Sequence, residues 1–202
     1  MKVIVMLGMP LSGKTTHAKV LQDDVNIPLY ETGTFVYKEV EERGLEATPE
    51  NVKIVAGECK SKSDSYFTEK TIDYVLVNNP EAKVIFISGI KALSEIEYLN
   101  EKLGADNVLL VSFHASVDTR HARLMNADRQ AASQGGKGVE DLAMSKDKSR
   151  FNIRDTKELG YGLGKLMALA DFVVNTEDKK WPYNNFATTL SNFKEIIKSV
   201  VE

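Results

Sequence analysis

The sequence predicts an α/β fold built on a mostly parallel sheet. Three observations predict it. Short apolar strands alternate with helical segments along the chain. Val3 to Leu7 is continuously apolar and Asn107 to Phe113 nearly so, as strands buried on both faces are. The first strand also runs straight into a glycine turn that opens a helix.

Val3 to Leu7 is the first core strand; the apolar stretch after Met1-Lys2 is too short for a signal sequence. Gly13 to Gln22 is helical, and Ile27 to Tyr30 is a short second strand. Phe35 to Arg43 is a helix closed by Gly44. Pro49 opens another helix, and Tyr66 to Val77 continues the helical layer. Lys83 to Ile87 is a strand with Gly89 just beyond it, and Leu93 to Leu103 a helix ending at Gly104. After the strand Asn107 to Phe113, Ser116 caps a helix running to Ala127. Asp171 to Val174 is the last core strand. Asn185 to Val201 closes the chain as an amphipathic helix, with Phe186, Leu190, Phe193, Ile197 and Val201 at helical spacing. Gln130 to Lys148 breaks the pattern: it is rich in Ser, Gly, Gln, Lys and Asp and lacks an apolar period. It reads either as a surface loop or as a mobile lid over a site.

Composition narrows the function classes. The 202 residues, 43% of them hydrophobic, suffice for one globular core without staples. Lys plus Arg is 26 and Asp plus Glu 29, a formal net charge of −3. That argues against a surface devoted to nucleic acid and leaves room for a local cation cluster that binds phosphate. One cysteine, Cys59, excludes an intramolecular disulfide and suits a reducing cytoplasm. No apolar run approaches the roughly 18 residues of a membrane span.

Gly8-Met9-Pro10-Leu11-Ser12-Gly13-Lys14-Thr15 matches G-x-x-x-x-G-K-[ST] at every fixed position. The glycines let backbone N–H groups converge on a phosphate, Lys14 supplies positive charge to the β- and γ-phosphates, and the Thr15 hydroxyl can coordinate Mg²⁺. The next helix points its positive end at the same anion. Its setting, after an apolar strand and before a helix, is the one this loop requires.

Four further places carry candidate chemistry. Thr32-Gly33-Thr34 comes after the second strand, where either a helix cap or a substrate contact at Thr34 fits. Ile87-Ser88-Gly89-Ile90-Lys91 leaves the third strand at the sheet's carboxyl edge, so Lys91 can hold an acceptor phosphate. Arg120, Arg123 and Arg129 lie on or after one helix, and Arg150 and Arg154 lie beyond the glycine-rich stretch. Such cations suit the charge spread over a transferring phosphoryl group. Asn175-Thr176 comes after the last strand, where a loop can border a base. His114 reads as structural, and His17 and His121 are given no role.

These motifs resemble the P-loop kinases of small molecules: adenylate and other nucleoside-monophosphate kinases and dephospho-coenzyme A kinase. The chain is more closely similar to an archaeal family of P-loop kinase-like proteins. Lys2 to Thr16, Gly33 to Pro49, Val84 to Leu99, Leu110 to Leu124 and Gly160 to Glu177 carry the likeness. The most recognisable pieces are His114-Ala115-Ser116, Gly160-Tyr161-Gly162-Leu163-Gly164 and Leu169-Ala170-Asp171 running to Asn175.

The resemblance implies a single three-layer α/β/α P-loop domain over 1–202 with a five-stranded sheet, an acceptor-binding helical insertion at about 33–77 and a lid at about 129–156. It implies ATP with Mg²⁺ as donor and a small phosphorylated acceptor. It assigns the loop Gly8, Pro10, Ser12, Gly13, Lys14, Thr15 and Thr16 to the ATP phosphates, with Thr15 on the metal. It assigns Thr34 and Lys91 to the acceptor, Arg120, Arg123 and Arg154 to the transition state, and Asn175 to the adenine edge.

Three departures stand out. Ser88 occupies the strand end where these kinases carry a carboxylate for a Mg²⁺-bound water, Thr34 comes after Gly33 where aspartate is common, and Lys91 replaces an arginine. Lysine keeps the charge and loses the bidentate fork. Glu31 is a nearby carboxylate able to substitute for the one missing at Ser88. The leading expectation is therefore a kinase of a nucleoside monophosphate or coenzyme A precursor. A nucleotide-binding switch with little or no turnover and an ATPase working with RNA or a protein partner are the alternatives.

Overall fold

A computed structural model describes residues 1–124, 148–178 and 184–201. Five strands form one sheet in the order β2-β3-β1-β4-β5, and every pairing is parallel. They are β1 (Lys2–Leu7), β2 (Leu29–Glu31), β3 (Val84–Ser88), β4 (Val108–His114) and β5 (Phe172–Asn175). Parallel neighbours require crossovers, and helices supply them. The described helices are α1 (Lys14–Val25), α2 (Thr32–Glu42), α3 (Pro49–Lys62), α4 (Tyr66–Asn78), α5 (Leu93–Leu103), α6 (Val117–Leu124), α7 (Lys148–Gly160), α8 (Leu163–Ala168) and α9 (Phe186–Val201).

The apolar β1 is the central strand, and its residues alternate between two cores as strand geometry demands. Val3, Val5 and Leu7 face Ile72 and Val75 of α4, Ile96 and Leu99 of α5, and Leu163 and Leu166 of α8. Ile4 and Met6 face Ala18 and Leu21 of α1 and Phe193 and Ile197 of α9. The expected three-layer α/β/α architecture is thus present. The expected "mostly parallel" sheet is parallel throughout. A third, smaller core of Phe35, Val40, Val55, Cys59 and Phe67 ties α2, α3 and α4 together within 33–77.

Two helices differ from expectation. Lys148, the last residue of the low-complexity stretch, opens α7, and Leu163–Ala168 forms α8. α7 is strongly polar, and among its described side chains only Phe151 and Asp155 are buried, so it offers little apolar period to a reader of sequence. Of the lid expected at 129–156, residues 129–147 lie outside the described residues, and 148–156 belong to α7.

Candidate functional site

Because every strand is parallel, all five carboxyl ends lie along one edge. In spatial order that edge carries Glu31, Ser88, the Gly8 turn, His114 and Asn175. Register places Ser88 between Glu31 and Met6, and His114 opposite Asn175. Ligands of open parallel sheets sit over this edge, near the central strand where the chain's direction of winding reverses.

The phosphate loop leaves β1 through Gly8, whose φ of +140° is open to glycine alone. A β-carbon there would collide with the Phe113 carbonyl oxygen and lie 2.7 Å from Ser12 Oγ. Leu11 at φ 68° and Gly13 at φ 96° complete the turn. Leu11 is a side-chain-bearing residue held in the left-handed region, a strain that clusters at ligand sites. Gly13 caps α1 without any side-chain hydrogen bond, and no acidic residue sits in the first turn. The opening N–H groups of α1 therefore receive nothing from a cap. Ser12 Oγ is buried without a hydrogen-bond partner among the described residues. An anion on the loop would satisfy these donors.

The Lys14 ammonium donates to Gly8 O at 2.6 Å and Met9 O at 3.1 Å, folded over the loop. Burial pushes its pKa down to about 8; Glu158 pulls it back up, while Lys91, Arg154 and Arg120 push it further down. Lys14, Lys91 and Arg154 thus share one electrostatic neighbourhood, which an incoming polyanion would relieve.

Thr15 Oγ1 lies 3.5 Å from Glu31 Oε1. Glu31 is the in-register neighbour of Ser88, so the carboxylate absent from the end of β3 stands one strand over, beside the loop threonine. Among the described residues no three His, Cys, Asp or Glu side chains cluster to hold a metal alone. Magnesium in phosphate sites needs only one or two protein oxygens, with phosphates and water supplying the rest. The Thr15 hydroxyl and the Glu31 carboxylate fit that demand.

The loop after β3, which carries Lys91, is held in place by two contacts. Gly89, at φ +96°, brings the loop against Thr32; a β-carbon there would collide with Thr32 Oγ1. Glu95, buried, accepts from the Lys91 and Ala92 amides at 2.9 and 3.0 Å and from Thr68 Oγ1 at 2.7 Å. It pins the Lys91 loop to α4. Thr34, on the first turn of α2, is half-buried.

The arginines are used differently from one another. Arg120 is buried. It donates to Asp155 Oδ1 at 2.8 Å, to Asp155 Oδ2, to Ala115 O at 3.1 Å and to Pro10 O at 3.3 Å, and its guanidinium lies over the Phe151 ring. Arg123 donates to Leu11 O at 3.1 Å and to Thr176 Oγ1 and O. Both are engaged with the protein's own groups and brace the outer wall of the loop. Arg154 brings charge to Lys14 from α7. Arg129 lies outside the described residues.

Arg123 also walls a cavity of about 200 Å³ with Leu11, Gly13, Thr16, His17, Thr176, Asp178 and Phe186 among its lining. Asn175 is not part of that lining: its side chain accepts from the Glu177 amide at 2.9 Å, and its carbonyl from Asn184 Nδ2 at 2.9 Å. The His114 side chain is exposed, and its carbonyl accepts from Thr176. His17 is a finding the sequence did not signal. Its Nδ1–H donates to Gly13 O at 2.8 Å and its Nε2 meets Thr189 Oγ1 at 2.8 Å, linking the loop to α9. Burial holds its pKa below the ordinary value despite the Gly13 bond, and Arg123 adds to the lowering.

Comparison with known proteins agrees with this geometry. A model of the AAA domain family matches residues 7–137. The chain is 31% identical over 176 residues to a UPF0200 protein of Hyperthermus butylicus, covering 87% of this chain and 85% of that one. It is 30% identical over 204 residues to a UPF0200 protein of Methanococcus vannielii, covering 100% of both. Shikimate kinase from Bacteroides thetaiotaomicron shares the fold with a TM-score of 0.58 at 14% identity, covering 98% of each chain. A Thermus thermophilus protein does so with a TM-score of 0.59 at 12% identity, covering 98% of this chain and 96% of that one.

Proposed function

The chain belongs to the UPF0200 family of AAA-domain, P-loop, kinase-like proteins, and from that premise we propose that it transfers the γ-phosphoryl group of ATP to a small phosphorylated acceptor in the cytoplasm. The observation that carries the reading is the phosphate loop itself: an uncapped helix start with Lys14 folded over it, in electrostatic reach of Lys91 and Arg154. Phosphoryl transfer between two anions needs cations for donor and acceptor alike, which Lys14 and Lys91 supply.

The residues divide the work. The amides of the loop and Lys14 hold the donor phosphates. Lys91 holds the acceptor's phosphate, and Thr34 lies on the acceptor side. Arg154 neutralises charge on the group in transfer. Arg120 positions the loop by holding Pro10 O, and Arg123 with the Asn175–Thr176 turn encloses the base in the 200 Å³ cavity. Thr15 and Glu31 would hold Mg²⁺, which when bound would supply positive charge to the donor phosphates. Catalysis is positioning and charge neutralisation, and no protein nucleophile is needed.

The test is transfer from Mg²⁺-ATP across a panel of nucleoside monophosphates and dephospho-coenzyme A, monitoring both ADP and the phosphorylated product. Acceptor-dependent ADP formation is expected, falling roughly a hundredfold or more in Lys14→Ala. Ser88 favours a second reading, a nucleotide-binding switch. ATP binding without any acceptor-stimulated turnover would establish that reading in place of the first.

A further inference from the structure

α7 sets Asp155 and Glu158 three residues apart, on one face of the helix. Each takes a cation at the phosphate edge: Asp155 closes on Arg120, and Glu158 on Lys91. The two Glu158 oxygens lie 2.9 and 2.8 Å from Lys91 Nζ, and the glutamate side chain is only 12% exposed. Lys91 is held from the other side too. Its Nζ lies 5.4 Å from the centre of the Tyr161 ring, and a β-carbon on Gly162 would sit 3.3 Å from its carbonyl oxygen. The Gly160-Tyr161-Gly162 corner thus seats the end of α7 directly on the Lys91 loop. Glu158 is a fixed occupant of the lysine.

We infer that Glu158 selects the anion accepted at Lys91: it is a resident carboxylate that an acceptor group must displace, and a phosphate dianion displaces it where a carboxylate does not. The inference rests on the reading of Lys91 as the acceptor seat. Exchanging Glu158 for another carboxylate trades one single charge for another and yields no electrostatic gain. A phosphate brings two charges and three acceptor oxygens, and the charge of Lys14 lies within its reach. The cost of breaking the Lys91–Glu158 pair is the same for every anion, so the resident carboxylate lowers all affinities alike and leaves bound only an anion, such as phosphate, whose own attraction to the site exceeds that cost.

The full-length protein, saturated with ADP so that the donor loop is filled, is titrated with inorganic phosphate and with acetate by calorimetry. Wild type should prefer phosphate by more than about tenfold. Glu158→Gln should bind both anions roughly five- to tenfold more tightly, so that acetate binding strengthens alongside that of phosphate. Lys91→Ala should lose the phosphate. Glu158→Ala repeats the comparison without a side-chain amide, and far-UV circular dichroism verifies that α7 survives. Unchanged or weaker phosphate binding in both glutamate variants, with the Lys91 dependence intact, overturns the inference and leaves Glu158 a strut. Phosphate binding indifferent to Lys91→Ala overturns the acceptor seat itself, and with it the inference.

Discussion

Lys14 shows how one residue's environment becomes a measurable pH effect. Burial and neighbouring cations lower its pKa to about 8, so above that pH the free protein loses the charge the phosphates need. A bound polyphosphate favours the charged form and restores the proton. Nucleotide binding between pH 8 and 9 should therefore take up a proton, and affinity should weaken as pH rises through 8. Calorimetry in buffers of different ionisation enthalpy measures the uptake, and an absence of uptake would refute the assignment. The loop itself was legible in the sequence, because a phosphate cradle needs glycine and lysine at fixed offsets. Glu95 and Glu158 were not legible as site residues. Their partners, Thr68 and Lys91, lie 27 and 67 residues away, and nothing local marks a distant ion pair. Glu31, the carboxylate offered in place of the one missing at Ser88, lies 3.5 Å from Thr15 Oγ1.

At the scale of the element, α7 is the part least visible in sequence and most connected to the site. Its polar composition hides it, because its buried surface is made of ion pairs as well as Phe151. The Arg120–Asp155 pair, 4% and 12% exposed, binds α7 to α6 and, through Pro10 O, to the loop. Removing one partner strands a buried charge, so Asp155→Asn or Arg120→Met should each cost about 3–5 kcal/mol in denaturant unfolding. The double replacement should cost less than the sum of the two, a coupling that a double-mutant cycle reads directly. Additive losses would show that the pair carries no coupling. The apolar helices were legible for the opposite reason: α9 shows Phe193 and Ile197 at helical spacing and buries both.

For the whole molecule, the governing fact is a sheet whose strands all end at one edge. On the proposed reading a nucleotide at that edge bridges the loop after β1, the Arg123 wall and the turn after β5, and stabilises their common arrangement by mass action. Mg²⁺-ATP at a hundred times its Kd should add about 2.7 kcal/mol to unfolding stability, and Lys14→Ala should abolish most of that gain. Thermal unfolding with and without nucleotide measures both. Strand order was less legible than strand existence, since apolarity says that a strand is buried and not which neighbours bury it. That order has a consequence for how the chain is made. β1 is synthesised first, yet its partners begin at Val84 and Val108. A nascent chain must keep Val3 to Leu7 unpaired until Val84 has emerged, and paired on one side only until Val108 has. Folding is then governed by long-range closure, which is slow and exposes that segment to aggregation meanwhile. The ribosome-bound chain should gain protease resistance at its amino terminus only after His114 has cleared the exit tunnel.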